Sequence, residues 1–145
     1  MRKIFPALAL AFSIVLSACD GGGPTVVQEN VSGTYTLQTV NAAGIPAVLR
    51  QSSVGRVEVY AGTVVLRPDR SFTETLQFRA VFSGSPTQED HQVVNGSYSV
   101  AGTTITFTVL HENGSLWNSY KGTISGRDLT YTATMDAMAL KYRRQ

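Results

Sequence analysis

Gly33-Thr34-Tyr35-Thr36-Leu37, near the start of the patterned part of the chain, and Ala139-Leu140-Lys141-Tyr142-Arg143, almost at its end, decide the fold. Both alternate apolar and polar residues with period two, the mark of a half-buried strand. Between them runs a series of short alternating segments joined by tight turns. A ribbon of hairpins leaves two unpaired edges, and pairing 33–40 with 139–144 removes both. The expectation is an all-β fold: an eight-stranded antiparallel up-and-down meander barrel. A seven- or eight-strand sandwich is the alternative.

The strands read in order as 33–40, 56–66, 72–82, 91–100, 103–110, 116–124, 129–135 and 139–144, with no helical periodicity after the first twenty residues. Pro68-Asp69-Arg70-Ser71 and Asn113-Gly114 are strong turn signals. Gly62 predicts a bulge or sharp bend in the second strand. Residues 41–46 read as a loop, and Val48, Leu49 and Val54 as a lid-like segment over one end of the core. Residues 83–90, with Gly84 and Pro86, read as the longest loop on that side. The chain also repeats itself: Gly33-Thr34-Tyr35, Gly62-Thr63-Val64, Gly96-Ser97-Tyr98 and Gly122-Thr123-Ile124 each open a strand or renew one.

Ahead of this region lies a processing segment. Arg2 and Lys3 form a basic start and residues 4–16 an apolar core, short of the roughly 20 residues a bilayer span requires. The segment ends in Leu16-Ser17-Ala18-Cys19, which resembles a bacterial lipobox. That resemblance implies a diacylglycerol on the Cys19 thiol, cleavage before Cys19, and often a further acyl chain (palmitate, for example) on the new amine. More than one chain makes anchoring stable, where a single chain binds only marginally. The expected organisation is a lipoprotein signal peptide over 1–18, an acylated cysteine with a flexible tether over 19–30, and one barrel domain over 31–145. The localisation expected is the bacterial cell envelope, lipid-anchored and facing the periplasm or the surface. Asp20 directly after Cys19 resembles an inner-membrane retention signal, a rule not uniform across bacteria, so inner and outer membrane both stay open.

The chain has 145 residues, enough for one domain with a modest core. Its single cysteine is the one expected to be acylated, so no disulfide forms within the chain. Cleavage also removes Arg2 and Lys3, leaving ten basic against the ten acidic side chains. The basic balance belongs to the signal peptide, and a nucleic-acid partner is not expected.

Residues 31–144 resemble the lipocalin-like domains of bacterial lipoproteins, within the calycin group of small barrels. That family carries Gly-x-Trp at its first strand and an arginine near its last that packs on the tryptophan and closes one end. Here the pattern stands as Gly33-x-Tyr35, with Arg143 or Arg144 as the partner; tyrosine departs from the pattern but still offers a ring face to a cation. The resemblance implies a barrel closed by Tyr35 and Arg143 that could hold a small apolar ligand.

Strand parity gives an inward set of Tyr35, Leu37, Val64, Leu66, Phe72, Leu76, Phe78, Tyr98, Ile105, Phe107, Tyr120, Leu129, Tyr131, Leu140 and Tyr142. An eight-strand barrel either fills with side chains or holds one small ligand. As a pocket, the candidate ligand-binding residues are Glu74, Phe78, Tyr98, Phe107, Tyr120 and Tyr131. As a core, the same rings simply fill the interior, which the short strands favour. Glu74 is the anomaly, pointing inward between Phe72 and Leu76. Buried, it must meet a tyrosine, an arginine, water or a ligand; one residue pair past the Pro68–Ser71 turn, it reads more simply as a solvated rim carboxylate. Asn118 and Tyr120 share its face, whereas Trp117 has the opposite parity and is expected part-exposed at a rim.

His91 and His111 have no paired spacing and no cysteine partner, so no metal is expected, and no cofactor. Nucleophile-elbow, zinc-protease and phosphate-loop motifs are missing from the sequence. The function expected is a membrane-tethered binding protein holding a small apolar ligand in its lumen, and not an enzyme. The alternative is an envelope interaction or inhibitor protein with a filled barrel, engaging its partner through loops such as 42–54 or 83–90.

Overall fold

The computed structural model describes residues 30–133 and 137–145. The expected signal peptide, Cys19 and tether residues 20–29 lie outside the described residues, as do Thr134 and Met135 of the expected seventh strand. Ten strands are present: β1 (Gly33–Val40), β2 (Ala43–Gly44), β3 (Ala47–Ser52), β4 (Gly55–Leu66), β5 (Ser71–Phe82), β6 (Gln88–Ala101), β7 (Thr104–Leu110), β8 (Leu116–Ser125), β9 (Asp128–Thr132) and β10 (Ala139–Arg144). Eight of them, β1 and β4 to β10, form a closed antiparallel up-and-down barrel. Closure is made where β1 meets β10, with Tyr35 opposite Arg144 and Leu37 opposite Tyr142, and where β1 meets β4, with Tyr35 opposite Val64. β2 and β3 are additions, paired to the ends of β1 and β4.

Alternation builds the wall. Tyr35, Leu37, Val64, Leu66, Phe72, Ile105, Phe107, Leu129, Leu140 and Tyr142 are all fully buried, while the threonines between them face outward. Of the expected inward set, Phe78 and Tyr120 are only half-buried. Val31, Val40, Ala47, Val59, Val109, Ile124 and Met138 join the core beyond that set. β4 shows why parity failed locally. Its irregularity lies at Tyr60, between Val59 and Ala61, and there the inward set switches from odd to even residues. Gly62 stays in regular register opposite Leu76, which corrects the expected bend. Its missing side chain is space filled by Leu37 and Leu76, since a Cβ would lie 2.9 Å from one and 3.1 Å from the other.

The two ends differ. At one end the chain enters at Asn30 and leaves at Gln145, and the β4–β5, β6–β7 and β8–β9 turns gather near Leu66, Phe72 and Tyr98; this end is closed. Tyr35 donates from its hydroxyl to the Val31 carbonyl at 2.7 Å, and Arg144 donates to the Asn30 carbonyl at 2.8 Å. Arg144 is thus the arginine on Tyr35's side of the sheet. Arg143, the residue expected there, points outward and donates to Asp128 at 2.9 Å, beside a Lys141–Asp128 pair at 2.8 Å. Adjacent residues on a strand face opposite sides, so only one of the two arginines can reach the interior.

The other end is open and uneven. β4, β5 and β6 have 12, 12 and 14 residues, against 7 in β7 and 5 in β9. The long strands continue past the barrel as a flap with β3 along its side. Residues 47–52 are therefore strand and not a lid: Ala47 is buried opposite Val59, while Val48 and Val54 stay exposed. β6 likewise begins at Gln88, inside the expected loop, because Gln88, Glu89 and Asp90 continue the ladder against Ala80, Arg79 and Phe78.

Candidate functional site

β6 pairs with β7 only from Ser97 to Ala101; above that point it stays with β5 and leaves β7 behind. Gly96 marks the parting. A Cβ there would lie 2.2 Å from the Thr108 carbonyl oxygen and 2.7 Å from the Phe72 ring, so only glycine lets the strands approach before they separate. The separation opens a cleft into the barrel between β6 and β7. Its apolar walls are Leu76, Val94, Val109, Ala133 and Met138; Gln92, Asn118 and Tyr120 supply polar atoms, and Glu74 lies at the inner end. The cavity measures about 40 Å³, room for two or three water-sized groups.

Glu74 is 4% exposed, which corrects the reading as a solvated rim carboxylate. Tyr131 on β9, diametrically across the barrel from β5, donates to its Oε1 at 2.5 Å, and Tyr142 on β10 donates to the same oxygen at 2.7 Å. The Tyr120 hydroxyl on β8 interacts with the carboxyl as well. Burial pushes the Glu74 carboxyl above its ordinary value, and the tyrosine hydrogen bonds pull partly back. The phenols respond in turn. Burial raises Tyr120, Tyr131 and Tyr142, and the neighbouring carboxylate adds to the effect. Among the described residues no cationic side chain forms an ion pair with Glu74. Such a group is held by about 1.5–3 kcal/mol per charged hydrogen bond against a desolvation cost of several kcal/mol.

Rings fill the space around this carboxyl. Phe107 meets Phe72 edge-on at 4.9 Å and stacks with Tyr120 at 5.0 Å, and Tyr131 lies nearly parallel to Tyr142 at 5.6 Å. A site for a drug-sized ligand occupies about 300 Å³ or more, so the interior is packed apart from the cleft. Of the six candidate ligand-binding residues, Glu74, Tyr120 and Tyr131 come together, with Phe107 packed against both tyrosines. Phe78 lines a separate, shallow trough higher on β5, with Val57, Ala80 and Asp90. Tyr98 sits at the closed end, its hydroxyl donating to the Arg67 carbonyl at 2.7 Å with the Arg70 guanidinium over its ring.

Sequence reading left Trp117, Tyr142, Val94 and Met138 out of the site. Tyr142 was accessible through its inward parity; Val94 was not, since only the β5–β6 register places it directly opposite Glu74. Trp117 reaches the cleft because it is the extra residue of a bulge, Val109 pairing with Asn118 and Leu110 with Leu116. A bulge re-aims a side chain against the local alternation. The indole is 47% exposed, 6.1 Å from the His111 ring.

A second covered carboxylate, Glu58, lies on the outer face at 2% exposure. Arg79, across the ladder, and Arg56 at 3.0 Å both donate to it, and the Arg79 hydrogen bond is the main reason its carboxyl sits below the ordinary value. It is screened by guanidinium groups and fully paired, which sets it apart from Glu74.

No protein-family model matches the chain, and comparison with curated proteins gives no significant match. What the fold and the cleft define is a class: a closed eight-stranded antiparallel β-barrel, packed inside and open to one side near its uneven end.

Proposed function

We propose that the protein is a small-molecule binding protein of the cell envelope, held to a membrane through Cys19, that engages the end of its ligand in the β6–β7 cleft. The observation that carries this reading is the cleft itself, an apolar-walled passage that leads from the exposed Trp117 to a buried, tyrosine-held carboxyl. A protein built only to fill its barrel would gain by placing leucine at position 74, because burying a carboxylate costs several kcal/mol. The reading is one of binding without turnover. It differs from lumen binding in scale, for a cavity of about 40 Å³ admits only an end group, with the remainder of the ligand lying at the mouth.

Native mass spectrometry of the protein, gently extracted from cells, tests this reading. A reproducible added mass that is lost in Val94→Trp, which blocks the cleft, supports it; a barrel that always emerges bare counts against it. Anchoring is tested separately by metabolic labelling with palmitate, expected in the wild type and lost in Cys19→Ser.

A second reading draws on the packed interior. A barrel with so little free volume also suits an envelope interaction or inhibitor protein, whose partner would meet Leu110, Leu116 and Trp117, all at least 47% exposed on one hairpin. Cross-linking from that hairpin to a protein, with no small molecule retained, would favour it.

A further inference from the structure

We propose that the cleft accepts an organic cation, a primary ammonium on a short apolar stem, with Glu74 as its counter-ion. The inference rests on the reading of the cleft as a binding site and adds the chemistry of what enters. Three observations converge on it. Among the described residues, Glu74 is the only charged side chain that lines the cleft, and none of their cationic side chains forms an ion pair with it. Its Oε1 takes the Tyr131 and Tyr142 hydrogen bonds and the Tyr120 hydroxyl adds a third contact, and a carboxylate has about four lone-pair sites, so acceptor capacity remains for a further donor. The walls between mouth and carboxyl include Leu76, Val94, Val109 and Met138, which offer a stem apolar contact, and the polar side chains beside them, Gln92, Asn118 and Tyr120, carry no charge to compete with Glu74 for the cation.

Size and electrostatics select within that frame. About 40 Å³ holds roughly three heavy atoms, an ammonium and its first methylenes. A ligand carboxylate would stand against Glu74 in a low-dielectric site, where like charges repel strongly. A neutral alcohol can donate one hydrogen bond but leaves the buried charge unbalanced. An ammonium donates up to three hydrogen bonds and neutralises it. At the mouth the Trp117 ring, and beside the carboxyl the Tyr120 ring, offer faces that favour cations. No second carboxylate or imidazole of the described residues converges there, so the donor set suits an organic cation and not a metal ion. Asp90 on β6 and Glu112 in the β7–β8 turn stand at the same open end and would draw a cation toward the mouth.

The test uses three probes of equal chain length, hexylammonium, hexanol and hexanoate, titrated into the purified protein at neutral pH. The readout is the fluorescence of Trp117, the chain's one tryptophan. Hexylammonium should bind saturably and at least roughly tenfold more tightly than either other probe. Glu74→Gln should abolish that preference, bringing hexylammonium to within about threefold of hexanol measured on the same variant. A second arm needs no variant: at about pH 4, where a carboxyl with a raised value is protonated, the preference for the amine should vanish in the wild type. Hexanol or hexanoate binding as tightly as the amine at neutral pH would overturn the cation inference and leave the binding reading in place. If no probe binds, and the extracted protein carries no added mass, both fall together.

Discussion

Glu74 joins three strands that the chain visits far apart, accepting hydrogen bonds from Tyr131 and Tyr142 across the width of the barrel. Removing one donor leaves a buried acceptor short of a partner. Tyr131→Phe should therefore cost about 1–3 kcal/mol in urea unfolding, with little change in fold. The carboxyl's own titration makes a second prediction. A carboxyl whose folded value is raised gives stability that is complete below its unfolded value near 4.5 and is lost as pH rises through the folded one. The groups that face it, Tyr120, Tyr131 and Tyr142, are themselves pushed upward and stay neutral over that range. Glu74→Gln should flatten this part of the stability profile and be no less stable than wild type at neutral pH. Parity made the direction of Glu74 legible in the sequence. Its depth was not, because height inside a barrel depends on how the strands are staggered around it, and that register is set by pairings among residues dozens of positions apart.

At the scale of elements, the site exists because β6 parts from β7 at Gly96. Adding a methyl group there drives it into the Thr108 carbonyl and the Phe72 ring. Gly96→Ala should destabilise by about 1–3 kcal/mol or more and should disturb Trp117 fluorescence, since the strands can no longer close beneath the cleft. The acid limb of stability has a different origin. Asp128, held down to about 2 by Arg143 and Lys141, ties β9 to β10. Its contribution is present above the ordinary value of 3.8 and fades as pH falls toward 2. Alternating polar and apolar residues made β5, β7 and β10 readable nearly to the residue. The bulges at Tyr60 and Trp117 were not readable, since an extra residue leaves no mark on composition and appears only against a partner strand.

Over the whole molecule, the barrel is cylindrical only from the closed end to about the level of Gly96; beyond it the flap of β3 and the far parts of β4, β5 and β6 stands with both edges, β3 and the start of β6, unpaired among the described residues. Hydrogen exchange should therefore be graded. Amides of β3 and of Gln88 to Val93 should exchange well ahead of those in β1, β7 and β10, and equal protection throughout would contradict this arrangement. Closure itself was foreseeable from Tyr35 and Tyr142, the first and last alternating segments, which lie side by side.

The polypeptide enters this barrel at Asn30, pinned by Arg144 at the closed end, while Trp117 and the cleft lie toward the other. If Cys19 is embedded in lipid, the leash arrives at the sealed floor, and the doorway looks out into the aqueous space. Cargo would then be captured from solution and not skimmed from the bilayer beneath.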